Sequence, residues 1–182
     1  MSALADQLTE IYSQLLAQDP PKRPEPGKMT DVDYNNRGVT YAALQQQERA
    51  LADYNQAIQL DANDATGYIN RGATYAALQQ PKQAVADLTH ALHLDPTEPQ
   101  TYSNRGVSYA ALQQTELALA DYHQAINLNP TFAQAYHNRG ITHAALQQYE
   151  QALLDYNQAI TFAPTEAKAF YNRGNTYAAL EQ

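Results

Sequence analysis

At 182 residues with 44% hydrophobic content, a formal charge of −8 and no cysteine, the chain can bury apolar surface but can build no disulfide, thiol nucleophile or thiolate metal site. The acidic balance argues against nucleic acid as a partner: five of the eleven Lys and Arg residues are spread one per 34 positions, which leaves no basic patch to displace counterions. No run approaches 18 consecutive apolar residues and MSALADQLTE has no basic-then-apolar leader pattern, so the expectation is no membrane insertion, no signal peptide and a cytoplasmic location.

Residues 1–18 carry Leu4, Leu8, Ile11, Tyr12, Leu15 and Leu16 at the spacing of one apolar helical stripe, which predicts an amphipathic helix. DPPKRPEPGK then places four Pro and a Gly within ten residues, so 19–30 reads as a linker. From Asp31 a period of 34 sets in. YNNRGVTYAALQQ (34–46) returns as YINRGATYAALQQ (68–80), YSNRGVSYAALQQ (102–114), YHNRGITHAALQQ (136–148) and FYNRGNTYAALEQ (170–182). Each unit reads as a helix from about Asp31 to Leu44, a Gln-rich turn, and a second helix from about Glu48 to Leu60. The array is therefore four full units, 31–64, 65–98, 99–132 and 133–166, plus a terminal first helix, 167–182.

The first unit holds Tyr34, Arg37, Gly38 and Tyr41 in its first helix and Ala50, Tyr54 and Ala57 in its second. The second holds Tyr68, Arg71, Gly72, Tyr75, Ala84, Leu88 and Ala91, with Pro96 behind them; the third and fourth repeat the scheme around Gly106 and Gly140, with Pro130 and Pro164. This pattern resembles the tetratricopeptide repeat (TPR), in which a large aromatic, Leu-Gly and Tyr mark one helix and Ala, Phe and Ala the next, before a Pro. The resemblance covers 31–182. It implies an all-α fold, a right-handed superhelical solenoid of antiparallel helix pairs, in which first helices line a concave groove.

The small Gly38 is expected opposite the small Ala50, with Tyr side chains filling the space beside them. Arg stands where the family pattern has Leu. Each second helix carries an acid, Asp53, Asp87, Asp121 or Asp155, so an Arg–Asp rung is expected along the array, within or between units.

If first helices line the groove, positions two, five, six, nine, twelve and thirteen of each unit face it. Its floor is then Ala at positions twelve and thirteen, such as Ala42 and Ala43. Position six is a column of Asn36, Asn70, Asn104, Asn138 and Asn172, whose amides could clamp a peptide backbone; it resembles the asparagine ladder in the TPR superhelix of the glycosyltransferase that adds N-acetylglucosamine to proteins. Position five varies most, with Asn35, Ile69, Ser103, His137 and Tyr171, and is the expected seat of specificity.

The carboxylate clamp of TPR co-chaperones is not met. The first three units offer Asn35, Val39, Asn70, Gln100 and Asn104, of which Asn70 alone matches, and the last three recover only Asn138 and Lys168. His90 and His93 lack an evident third metal ligand, and Ser103 and His137 lie on adjacent helices whose axes stand too far apart for a nucleophile–base bond. No catalytic residue, metal or cofactor is expected. The reading is a non-enzymatic adaptor for a protein or peptide ligand, with the resemblance to N-R-G arrays of bacteria implying an assembly factor. The alternative is a self-associating scaffold, a homo-oligomer through the N-terminal helix or the open ends of the array.

Overall fold

A computed structural model describes residues 29–181. The expected N-terminal helix and nearly all of the Pro-rich linker lie outside the described residues. The first helices are α1 (Asp31–Ala43), α3 (Ala65–Ala77), α5 (Pro99–Ala111), α7 (Ala133–Ala145) and α9 (Ala167–Leu180). The second helices are α2 (Gln47–Leu60), α4 (Pro81–Leu94), α6 (Thr115–Leu128) and α8 (Tyr149–Phe162). Each begins 34 residues after its cognate, so the sequence period is also the structural one.

Local chemistry ends each element at the same place. The first helix closes in a Schellman motif: the Gln46 amide donates to the Tyr41 carbonyl at 2.8 Å and the Gln45 amide to that of Ala42 at 3.0 Å. This requires a left-handed residue, and Gln45, Gln79, Gln113 and Gln147 take φ between 57° and 60° where glycine is the usual choice. Between units, the Asp95 carboxylate accepts from the Thr97 amide at 2.9 Å and hydroxyl at 2.6 Å; Asn129 and Thr131 repeat the turn. The two bonds from Thr97 hold the Asp95 carboxyl below its ordinary range.

The core is the face between paired helices. Ala50, Tyr54, Ala57 and their cognates Ala84, Leu88, Ala91, Ala118, Tyr122, Ala125, Ala152, Tyr156 and Ala159 are all buried. The glycines fit differently from the expectation. A Cβ on Gly38, Gly106 or Gly140 would meet Cε1 of Tyr54, Tyr122 or Tyr156 at 2.5, 2.6 and 2.8 Å, and one on Gly72 would meet Leu88 at 2.8 Å. Gly therefore makes room for the large residue at the centre of the second helix, because a ring or isobutyl group pressed this close to a helix backbone leaves no space for a side chain beneath it. Ala50 is not its opposite number.

Consecutive first helices touch one another along the whole array, whereas among the described residues no second helix touches another. A stack in which one layer closes up and the other fans out curves with the close layer inside. The first helices therefore form the inner face.

Candidate functional site

Two columns of bonds set the geometry of this inner face. The first is the Arg–Asp rung, which lies within repeats. Arg37 gives Nε and Nη2 to the two carboxylate oxygens of Asp53, both at 2.6 Å; Arg71 does the same to Asp87, Arg105 to Asp121 and Arg139 to Asp155, all within 2.9 Å. These are bidentate, charge-assisted pairs with little exposure on either side. Burial works against the charge on Arg105, and the Asp121 bonds together with the charge of that carboxylate and the neighbouring Tyr109 and Tyr102 outweigh it, leaving the guanidinium above its usual pKa.

In four of the arginines, Arg71, Arg105, Arg139 and Arg173, the third nitrogen makes a bond that reading the sequence missed. Nη1 reaches back to the second helix of the preceding unit: Arg71 to Asn55 at 2.6 Å, Arg105 to Thr89 at 3.2 Å, Arg139 to His123 Nδ1 at 2.9 Å and Arg173 to Asn157 at 2.7 Å. The four partners lie at one repeat position, and all offer an acceptor. That shared polarity was the available signal.

The second column ties first helices together. The Asn138 amide donates to Ser103 Oγ at 3.2 Å and the Asn172 amide to His137 Nε2 at 3.0 Å, both across 35 residues. Position five of one unit thus meets position six of the next. Asn35, Ser103 and His137 are buried in this seam and not spread on the groove surface as expected, with His137 alone of the three reaching the edge of a hollow there. Ile69 is half-buried, and Tyr171, with no unit beyond it among the described residues, is 70% exposed. The physical reason is angular: one step along a helix turns a side chain by about 100°, enough to move it from the open face to the flank where the next helix packs. With the Asn172 amide N–H donating, His137 Nε2 is the acceptor, which corresponds to the neutral ring with its proton on Nδ1. Burial pushes its pKa down; Glu166 opposes this and Lys168 reinforces it.

The asparagines are accordingly not equivalent. Asn138 and Asn172 are committed to the seam, and Asn138 also accepts from Gln134 at 3.1 Å. Asn104 accepts from Gln100 at 2.8 Å, and its seam cognate Ile69 offers its amide no acceptor. Asn36 is exposed. Asn70 is half-buried, and the Asn35 carbonyl at the cognate seam position is buried without a partner.

Beside this column runs an apolar stripe at position nine: Val39, Val107 and Ile141 are 41–48% exposed, Ala73 is half-buried, and Asn175 closes the series. Two hollows lie along it. One of about 480 Å³ is bordered by Ala73, Ala76, Asn104, Val107, Phe132 and Asn138. The other, about 600 Å³, is bordered by His137, Asn138, Ile141, Lys168, Tyr171 and Asn172. Lys168, expected in the groove, does stand at its C-terminal hollow.

The residues with catalytic or ligating chemistry are engaged elsewhere. The His90 ring packs on Tyr68 with centroids 4.2 Å apart, and His93 Nδ1 donates to the Thr89 carbonyl at 2.8 Å. Ser103 and His137 bond to Asn138 and Asn172 and not to each other. Among the described residues no group of three or more His, Cys, Asp or Glu is placed to hold a metal, and no helix is long and apolar enough to cross a membrane.

Family profiles match almost the whole array: a tetratricopeptide repeat over residues 38–105, and a TPR repeat over 108–147 and 142–180. The chain belongs to the tetratricopeptide repeat family. Among solved structures it is similar to YrrB, described as a TPR protein with an unusual peptide-binding site, at 30% identity and TM-score 0.68 over 86% of this chain and 81% of that one. It is also similar to the first TPR of Spaghetti (RPAP3), solved bound to the HSP90 peptide SRMEEVD, at 27% identity and TM-score 0.63 over 67% and 97%. MamA shares the fold at 22% identity and TM-score 0.71 over 79% and 84%. No curated protein sequence matches.

Proposed function

We propose that this chain is a non-enzymatic adaptor that seats an extended peptide of a partner protein on the inner face of its first helices, and so acts as an assembly factor for larger complexes. The observation that carries the reading is the exposed stripe Val39, Val107 and Ile141 running beside asparagine amides that the seam leaves uncommitted, at Asn70 and Asn104. Apolar contacts along such a stripe supply affinity, and amides at a fixed rise satisfy the backbone of a peptide that lies along them. The peptide-binding site of YrrB and the bound peptide of the Spaghetti domain support it by likeness. Asn138 and Asn172 contribute less than the sequence led one to expect, since one N–H of each is taken by the seam.

Selection of peptides from a random library against the full chain tests the reading. A selected peptide should bind about ten to a hundredfold more weakly to an Asn70→Ala/Asn104→Ala variant, two hydrogen bonds of about 0.5–1.5 kcal/mol each, and similarly to Val107→Glu. The variants should melt like the parent. Leu154→Glu, on a second helix where the side chain is 67% exposed, should bind normally. Peptides lost with Leu154→Glu and indifferent to Asn70 and Val107 would place binding outside the groove and sink the proposal.

A self-associating scaffold is favoured by one observation, the exposure of Phe170, Tyr171, Tyr177 and Leu180 on α9. A monomeric mass by light scattering at high concentration would dispose of it.

A further inference from the structure

The loops that lead into the first helices hold one charge pattern and break it once. They read DAND (61–64), DPTE (95–98), NPTF (129–132) and APTE (163–166), and the third is the one without an acid. Its last residue stands at an N-cap. Asp64 accepts there from the Thr66 amide at 3.0 Å and Glu98 from the Gln100 amide at 3.2 Å, whereas Phe132 caps nothing at the start of α7. The ring forfeits that bond without entering the core, since it is only half-buried. It borders the hollow of about 480 Å³ on the inner face.

Every residue around that hollow is uncharged. Phe132 and Val107 share it with Ala73 and Ala76, and two amide pairs complete its edge: Gln100 Nε2 donates to Asn104 Oδ1 at 2.8 Å, and Gln134 Nε2 to Asn138 Oδ1 at 3.1 Å. These bonds leave each glutamine oxygen able to accept and an Asn104 N–H able to donate, the two roles that a peptide backbone needs met. An acidic side chain entering here would lose hydration and gain no counter-charge. The rim before the hollow has the opposite character. Asp61, Asp64, Asp95 and Glu98 stand in the two preceding loops, while α3, α5 and α7 carry no Lys or Arg beyond the paired arginines of the rung. Asp61, Asp64 and Asp95 each commit Oδ1 to a neighbouring amide or hydroxyl, and Oδ2 meets no partner among the described residues.

We propose that the hollow beside Phe132 is the specificity pocket of the groove, taking one large apolar side chain of a partner peptide that carries basic residues to one side of this anchor and no acid beside it. The proposal rests on the groove reading above and names the ligand's chemistry. Ring and valine supply the apolar contact, and the acidic rim selects the flank by charge complementarity. Neighbouring helix axes about 8–10 Å apart correspond to about three residues of extended chain, so the basic residues fall about three and about six positions from the anchor, at the loops of Glu98 and Asp64.

Random nonapeptides displayed on phage, selected in parallel against the full chain and its Phe132→Glu variant, test this. The variant restores the acid that the other loops carry, so it should melt no lower than the parent. Peptides selected on the parent should share one Phe, Tyr, Trp, Leu or Met, with Lys or Arg at the stated spacing, and should bind Phe132→Glu about tenfold or more weakly in fluorescence anisotropy. Asp64→Asn/Glu98→Gln, whose side-chain oxygens can still cap, should weaken the same peptides several-fold at low salt, and less at 1 M salt. Peptides that ignore Phe132→Glu but are weakened by Asn70→Ala/Asn104→Ala would overturn the pocket and leave the groove reading standing; peptides indifferent to both would sink the two together. An acidic consensus, or binding unchanged in Asp64→Asn/Glu98→Gln, also overturns the proposal. So does a chain that light scattering finds dimeric as isolated and monomeric as Phe132→Glu, because a second copy then fills the hollow.

Discussion

Arg105 shows how one side chain can hold three helices. Nε and Nη2 clamp Asp121 on its own second helix, Nη1 reaches Thr89 on the preceding one, and the guanidinium carbon lies over the Tyr102 and Tyr109 rings at 5.7 and 5.6 Å. Removing one partner of a largely buried pair strands the other without solvent or counter-charge. Asp121→Ala is therefore expected to cost about 3 kcal/mol in a denaturant titration, well above a surface ion pair. Arg173→Ala, which among the described residues loses one bond to Asn157 and no carboxylate, should cost about 1 kcal/mol. Equal losses at the two sites would show that the aspartate bonds add nothing. The pairing was legible in sequence because Arg and Asp keep one period; the third bond was not, because Asn55, Thr89, His123 and Asn157 share only an acceptor and no common shape.

Among the elements, the helix pair depends on glycine where a ring lies against it. Tyr122 covers Gly106 so closely that its burial raises the phenol pKa to about 12, against the bond its hydroxyl makes with Thr142 of the next unit. A residue larger than glycine must push the ring, and with it the seam to the following repeat. Gly106→Leu should lower stability by about 3 kcal/mol. Gly174 has the same sequence context and, among the described residues, no roof, so Gly174→Ala should raise stability by up to about 1 kcal/mol through helix propensity. Chemical denaturation of both variants checks the contrast. Losses at both sites would mean that backbone conformation, and not the ring, demands glycine. The repeat pattern marks the two glycines as equivalents, and only the presence or absence of a packed second helix separates them.

At the scale of the whole array, each unit touches only its neighbours, so a weak seam stays local. The seams around the fourth unit concentrate the titratable groups. Burial lowers the pKa of His123, helped by Arg139 and His143 and opposed by Asp155; burial also lowers that of His137. Both rings accept a hydrogen bond in the neutral form. A histidine whose folded pKa is depressed binds its proton better when unfolded. Its contribution to stability is complete above the unfolded value of about 6.5 and is lost as pH falls through the folded value. The melting temperature should therefore drop between about pH 7.5 and about pH 5, and a His123→Asn/His137→Asn variant should drop less. Hydrogen exchange at low pH should open α7, α8 and α9 before α1 to α4. A pH profile identical in the variant would assign the acid sensitivity to other groups.

The sequence alone determined the period, the paired helices, the positions of their turns and the Arg–Asp rung. A solenoid repeats the same interface at every step, so a constraint that would be one ambiguous residue in a single-core domain is written four or five times in register. Tertiary structure decided what lies about 100° to either side of that pattern. It turned Asn35, Ser103 and His137 from the open face into the seam, committed Asn138 and Asn172 while sparing Asn70 and Asn104, and set Gly38 beneath Tyr54 instead of against Ala50. Those outcomes depend on the rotation of each helix about its axis relative to the next one in the stack. A linear pattern records that a column exists, but the packing of one helix on another chooses the direction in which it points.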